Sequence, residues 1–215
     1  MPYHPFTQSF EQLPSVLPIF PLAGAVVLPG GSLALNIFEP RYLNMVQDAM
    51  RSNQLIGMIQ PKDKSDNPNL YTVGCAGRIR SYQEVDGGRL EIELKGLCRF
   101  NIIEELASPR GYRIIKADWS PYKQDYNVGT KATSSNHQPL VTALKRYFDS
   151  KNLDTDWDII EKIDQIQLVN NLLGYLPLTP EDKQLLIEAN NSKERLKYFI
   201  AILEREHTSG SDTRH

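Results

Sequence analysis

Histidine and cysteine are both scarce, with four of the first and two of the second in a chain of 215 residues. His4, His137, His207 and His215 are scattered without partners at metal-ligand spacing, so each is read as solvent-exposed and no metal site is expected. Cys75 and Cys98 belong to no CxxC pair, and the expectation is two reduced, buried thiols in place of a disulfide framework. There is no excess of one charge either. With 24 basic and 26 acidic residues the formal charge is -2 and the pI is near 6.1, which provides no global basic field to draw the chain onto nucleic acid or an anionic bilayer. No apolar run approaches the ~20 residues of a membrane helix. The opening Met-Pro-Tyr-His-Pro-Phe lacks the basic and apolar regions of a signal peptide, so a cytoplasmic protein is expected.

Motifs that carry chemistry are missing as well. A phosphate-binding loop needs backbone amides and a lysine in the pattern GxxxxGK[ST]; no such lysine follows Gly24, Gly30 and Gly31, which are read as turn residues. Neither a GxSxG elbow nor an HExxH helix occurs. Ser32, Ser81, Ser120, Ser134 and Ser135 sit beside turns or loops without a local activating partner. A serine-lysine dyad can assemble from distant positions, which leaves an uncharacterised hydrolase as a third reading. Glu91/Glu93 and Glu104/Glu105 fall on strand faces or ends, where solvation accounts for them. No catalytic residue and no cofactor is assigned.

What the chain does have is punctuation by proline and glycine, 14 and 13 residues respectively. Residues 17–42 are short apolar runs broken by Pro18, Pro21, Pro29, Gly30 and Gly31. Leu33, Leu35 and Ile37 alternate with Ala34 and Asn36, the period of a strand with one buried row. Pro40 suits the first turn of a helix, where its missing N–H costs little, and Leu43, Val46 and Met50 recur at helical spacing. Residues 55–60 read as a strand and 62–69 as a polar loop. Residues 71–85 and 89–103 flank Asp86-Gly87-Gly88, a hairpin turn, and 111–119 add a further strand. This order predicts an α+β fold that begins, over residues 12–120, with a closed or partly closed antiparallel β-barrel carrying one inserted helix.

Residues 121–137 lose apolar periodicity and read as a linker. Beyond them Leu140, Leu144 and Phe148 mark a short helix, and Ile159, Ile163, Ile166, Val169 and Leu173 a longer one that Gly174 can end. Thr179-Pro180-Glu181-Asp182 has the chemistry of a helix start, Ser192 that of another cap, and Leu196, Phe199 or Ile200, and Leu203 form the last stripe. Each stripe must be buried against another, which predicts a C-terminal helical bundle over 138–207 and a disordered polar tail over 208–215.

Two places present groups suited to binding. At Phe38-Glu39-Pro40-Arg41-Tyr42 a strand feeds a helix, and Phe38, Glu39, Arg41 and Tyr42 are the candidate partner-binding residues. The alternative is structural: Phe38 and Tyr42 pack while Glu39 or Arg41 ties the corner. Arg78, Arg80 and Tyr82 put cations and an aromatic on one strand, a possible RNA-contacting strip. Glu91 and Glu93 on the hairpin partner are expected to neutralise it.

These residues also carry a family likeness. Leu17-Pro18-Ile19-Phe20-Pro21-Leu22, Val27-Leu28-Pro29-Gly30 and Leu35 to Tyr42 closely resemble the opening of the Lon protease amino-terminal, or substrate-binding, domain. Val73 to Ile79 resembles that domain's Gly-containing strand, and Gly96-Leu97-Cys98-Arg99-Phe100 its Gly-x-x-Arg-Phe element. Leu173 to Leu178 and Lys183 to Leu196 are similar to its helical half, so the likeness covers about residues 12–206. It implies a PUA-like β-barrel followed by a helical bundle, and a stand-alone bacterial member without the ATPase and Ser-Lys peptidase modules of full-length Lon. The implied function is non-catalytic recognition of unfolded polypeptides or a specific protein partner, as an adaptor or competitor in proteolysis or quality control. An extended peptide would suit a groove between barrel and bundle. RNA binding through the PUA-like barrel is the alternative, against which the near-neutral charge counts; no membrane partner is expected, and oligomeric state is left open.

Overall fold

Alternation along short strands builds two apolar layers from one sheet. The computed structural model describes residues 9–127 and 137–211, the side chains of 127 and 208–211 excepted; His4, His215, Ser134 and Ser135 lie outside the described residues. Strands β1 (Val16–Pro21), β2 (Ser32–Ile37), β3 (Leu55–Ile59), β4 (Val73–Val85), β5 (Arg89–Leu106) and β6 (Arg113–Asp118) form a six-stranded sheet in the order β2-β5-β4-β3-β1-β6. Strand β6 also pairs with β5, so the ladder β5-β4-β3-β1-β6 returns to its starting strand. The 18-residue β5 makes this possible by serving different partners along its length. Its first half faces β2, from Leu90 opposite Ile37 to Lys95 opposite Ser32. Its second half faces β6, from Asn101 opposite Asp118 to Leu106 opposite Ile114. Register shifts between Ala76 and Gly77, Ile79 and Ser81, and Ile102 and Glu104 supply the local bending that such a circuit needs.

The sheet is not wholly antiparallel as the strand order predicted. Five pairings are antiparallel, but β1 and β3 run parallel, Ile19 opposite Gly57 and Pro21 opposite Ile59. The reason is the length of the connection between them. It contains β2 and helix α1 (Pro40–Met50), enough chain for a crossover, whereas a tight turn allows only an antiparallel neighbour.

Strand β3 is buried at every position, because each of its faces belongs to a different core. Leu55 and Ile59 join Leu17, Ile19, Phe100 and Trp119 in one cluster. Ile56 and Met58 join Leu35, Tyr42, Met45 and residues of the C-terminal helices in the other. The indole N–H of Trp119 donates to the Pro14 carbonyl at 2.8 Å, which satisfies its polar edge. The segment 22–31 is clamped to β5 by backbone groups alone, Gly30 N–H donating to Gly96 O at 2.9 Å and Gly96 N–H to Gly31 O at 2.8 Å. A Cβ on Gly96 would lie 2.0 Å from Leu28 O, so the clamp requires glycine there. The hairpin turn takes the predicted form, with φ of +80° at Gly87 and +71° at Gly88.

The C-terminal part comprises α2 (Gln138–Lys151), α3 (Trp157–Ile160), α4 (Gln165–Tyr175), α5 (Pro180–Glu188) and α6 (Ser192–Ser211). Helices α2, α4 and α5 contact α6, while α4 and α5 also reach β2 and β4, so helices and sheet share a core. The single helix expected over Ile159 to Leu173 is two. Asp164 Oδ1 accepts from Ile166 N–H at 3.0 Å and Gln167 N–H at 3.2 Å, opening a new helix where the apolar period alone would have continued the old one. Ile159 is consequently 56% exposed. Thr179 caps α5 as read, its hydroxyl accepting from Asp182 N–H at 3.1 Å. At α6 the capping oxygen is that of Asn191, which accepts from Glu194 N–H at 2.9 Å, in place of the expected Ser192. Of the segment read as a linker, Ser120–Asn127 forms 3-10 turns against β5, and 128–136 lie outside the described residues. The segment read as a tail is entered by α6, and 212–215 lie outside the described residues.

One buried arginine joins these parts. Arg99 on β5 holds Asp125 of the 3-10 segment through Nε–Oδ2 at 2.7 Å and Nη2–Oδ1 at 2.9 Å. Its Nη1 donates to the carbonyls of Ile187 at 2.9 Å and Ala189 at 2.6 Å, at the end of α5, and its guanidinium lies over the Tyr122 ring, 4.5 Å from the centroid. Burial opposes the charge of Arg99, but the hydrogen bonds and charge of Asp125 outweigh it and raise the pKa above the usual arginine value. Arg195 of α6, which donates to Leu186 O at 3.0 Å, is pushed down to about 10, first by burial and then by the charge of Arg99.

Replacing Arg99 by Met leaves Asp125 buried without its cation and is expected to cost about 3–5 kcal/mol in urea unfolding, with partial recovery when Asp125→Leu is added. Cys75 and Cys98 are free and buried. Burial raises the Cys75 thiol well above its ordinary value and Cys98 to about 12. Neither should react with an aromatic disulfide reagent at pH 8 in the native state, and both should react in denaturant.

Candidate functional site

Helix α1 begins where β2 leaves the sheet, and its first turn divides the four candidate residues by burial. Glu39 adopts an extended conformation at the N-cap without a side-chain capping bond, and Pro40 occupies the first helical position. Tyr42 turns inward, stacking on Phe20 with ring centroids 4.1 Å apart, and burial raises its phenol pKa. Phe38, by contrast, is 63% exposed. Arg41 and Glu39 form a surface ion pair, with Nη2–Oε2 at 2.8 Å and Nε–Oε2 at 2.9 Å. The Arg41 guanidinium lies over the Tyr42 ring, 4.7 Å from its centroid. The corner thus gathers an exposed aromatic and an exposed, paired cation and anion on a buried tyrosine.

Beyond its first turn, α1 is held on one flank and open on the other. Asp48 receives Arg110 Nη1 at 3.1 Å and the Tyr112 hydroxyl at 2.9 Å, and Arg110 Nη2 reaches Asn44 Oδ1 at 2.9 Å. Burial first, and then the bond to Asp48, raises the Tyr112 pKa. These contacts fasten the loop between β5 and β6 against the helix. On the other flank Leu43, Val46, Gln47, Met50 and Arg51 border an open groove of about 590 Å³, whose opposite wall is Tyr82, Glu84 and Val85 of β4 with Gly88, Arg89 and Leu90 at the hairpin turn. None of Phe38, Glu39, Arg41 and Tyr42 is part of this lining.

The groove lies elsewhere than between the sheet and the C-terminal helices. That seam is filled by core packing and by buried amides: Asn170 Nδ2 donates to Pro29 O at 2.8 Å and Gln60 Nε2 to Pro180 O at 2.8 Å. Leu43, Val46 and Met50, which the sequence marks only as recurring at helical spacing, all border this groove. The available signal was their excess, because α1 has apolar residues at 42, 43, 45, 46, 49 and 50, a wider arc than a single contact face uses.

The expected neutralisation of Arg78 and Arg80 by Glu91 and Glu93 does not follow the ladder. Arg78 lies opposite Lys95, and the register shift between Ile79 and Ser81 then places Ser81 opposite Glu93 and Gln83 opposite Glu91. Among the described residues no group of three or more His, Cys, Asp or Glu side chains is disposed to hold a metal ion. No helix among them is long and apolar enough to cross a membrane.

The burial difference at the corner has a direct consequence for stability. Tyr42→Ala should cost about 3 kcal/mol, as for other buried aromatics. Phe38→Ser and Arg41→Ala should stay within about 0.5 kcal/mol of the parent in the same denaturant titration.

The fold has solved counterparts. A Lon N-terminal domain protein from Xanthomonas campestris superposes with a TM-score of 0.60 at 23% identity, over 86% of this chain and 97% of that one. The N-terminal domain of a Mycobacterium avium complex Lon protease superposes at 0.59 with 15% identity, over 88% and 98%. Among curated proteins, Lon protease 2 of Myxococcus xanthus is 27% identical over 201 residues and a Lon protease of Heliobacterium modesticaldum 25% identical over 207, spanning 91% and 93% of this chain. The chain spans only about a quarter of these curated relatives' length, 24% and 25% respectively. The family model for the substrate-binding domain of ATP-dependent protease La (LON) matches residues 16–205, nearly the whole of both the sheet and the helices just described, and the chain belongs to that family.

Proposed function

We propose that this protein is a non-catalytic polypeptide-recognition module of the cytoplasm. It captures unfolded chains or a protein partner on a PUA-like barrel backed by a helical bundle, and acts as an adaptor in proteolysis or quality control. The observation that carries the reading is the corner at the start of α1. Phe38 presents an aromatic ring to solvent beside the exposed Arg41–Glu39 pair, while the buried Tyr42 beneath fixes the backbone that carries them. An exposed aromatic next to an arginine, held on a rigid base, is the composition of a binding hot spot: the ring supplies apolar area and the guanidinium directional bonds. The family's description, the substrate-binding domain of an ATP-dependent protease, supports the polypeptide as ligand.

The test is binding of a fluorescein-labelled, carboxymethylated and permanently unfolded polypeptide, followed by anisotropy. Phe38→Ser and Arg41→Ala should each weaken it by about fivefold or more, with an unchanged melting temperature. Unchanged affinity in both variants would assign the corner to structure alone.

A further inference from the structure

Strand β4 ends as an open edge beside the α1 groove. Its first half is paired on both sides, with β5 and, from Cys75 to Arg78, with β3. Ile79 is the last residue held on the second side, donating its N–H to Gln54 O at 2.9 Å. From Ser81 to Val85 the strand pairs with β5 alone, and among the described residues no backbone bond covers its other edge. Alternate residues of an antiparallel strand direct both N–H and C=O to the same side, so this edge presents unpaired donors and acceptors in strand order.

The path of α1 explains why none of the described residues pairs with this edge. The helix starts next to the end of β2, where Ile37 faces Leu90. It finishes where Asn53 and Gln54 meet Arg78 and Ile79, Arg78 Nη1 lying 3.5 Å from Asn53 O. It thus leads from the β2–β5 side of the sheet to the β3–β4 side, and the groove lies between the helix and the tip of the hairpin. Leu43, Val46 and Met50 line one side and Tyr82, Val85 and Leu90 the other. Tyr82 is 57% exposed.

The geometry points to strand addition: an extended polypeptide segment pairs with the Ser81–Val85 edge of β4 and sends alternate apolar side chains into the groove. This rests on the polypeptide-binding reading and names the form in which the chain is taken up. An extended ligand satisfies the edge, whereas a docked helix keeps its hydrogen bonds to itself and leaves the strand unpaired. Charge narrows the class further. Arg51 and Arg89 border the groove without a carboxylate partner among the described residues, against one acid, Glu84. The favoured segment alternates apolar and polar residues and carries an acid at one end.

The probe is a short labelled peptide alternating leucine and threonine and ending in glutamate, read by anisotropy. Two backbone N-methylated forms are compared with it, one for each alternate set of amides. In strand addition one set faces β4 and the other faces away, so one form should lose about tenfold or more in affinity and the other should bind like the parent. Arg51→Glu, at an exposed position, should weaken the glutamate-ended peptide and favour a lysine-ended one, with the circular dichroism spectrum unchanged. Equal effects of the two methylated forms, or no binding of the parent peptide, would overturn strand addition. Continued binding of the unfolded polypeptide in that case would leave the corner reading standing, and its loss would remove both. A dimer in sedimentation that the peptide does not dissociate would assign the edge to a second copy and overturn the proposal equally.

Discussion

A guanidinium taken out of water has to be given every partner that water supplied, and the position of Arg99 follows from that requirement. One carboxylate, from Asp125, takes two of its donors in a fork, and two carbonyls at the end of α5 take a third. The partners lie 26 and roughly ninety residues away along the chain, so a single charge fixes the sheet, the segment that leaves it and the helices relative to one another. Such a bond contributes little to net stability, since the desolvation of both ions offsets much of their attraction. An arrangement that leaves either ion buried and unpaired is costly, which disfavours packings of helices on sheet that break this contact.

With helices and sheet locked, both candidate binding surfaces lie in the amino-terminal half. There α1 is fastened on the Arg110–Asp48 flank and open on the flank of Leu43 and Met50. The corner at Phe38 and the groove therefore share one helix but present different chemistry: a charged and aromatic knob at its start, and an apolar channel with a strand wall along its side. A long ligand could touch both, the knob by side chains and the channel by backbone.

Much of this was legible in the residues. Strict alternation at Leu33, Leu35 and Ile37 located β2, Asp86-Gly87-Gly88 located the hairpin, and Thr179-Pro180 located the start of α5, because each of these signals is local. What could not be read is what depends on distant partners. Nothing near Asp125 in sequence announces that it will be buried, and a polar, aperiodic segment reads as a linker until Arg99 is placed against it. The break before α4 is different: Asp164 carries a local capping signal, but the apolar period running through Ile159, Ile163 and Ile166 masks it. At the candidate site, Phe38 and Tyr42 are both aromatic and flank the same proline; only the packing of Phe20 decides which of them faces inward.

The dependence of β5 on partners from both ends of the chain also governs how the molecule is assembled. Strand β1 needs β3 across a crossover and β6 from nearly a hundred residues later, while Arg99 Nη1 waits for the Ile187 carbonyl of α5. The β4–β5 hairpin, closed by its glycine turn, is the part that local contacts alone can form first. Topologies dominated by such non-local pairing fold in milliseconds to seconds, far slower than bundles of similar size. During that interval the nascent hairpin is exposed on both of its edges; β2 and β6 later meet the edge of β5, whereas β3 meets that of β4 only from Cys75 to Arg78.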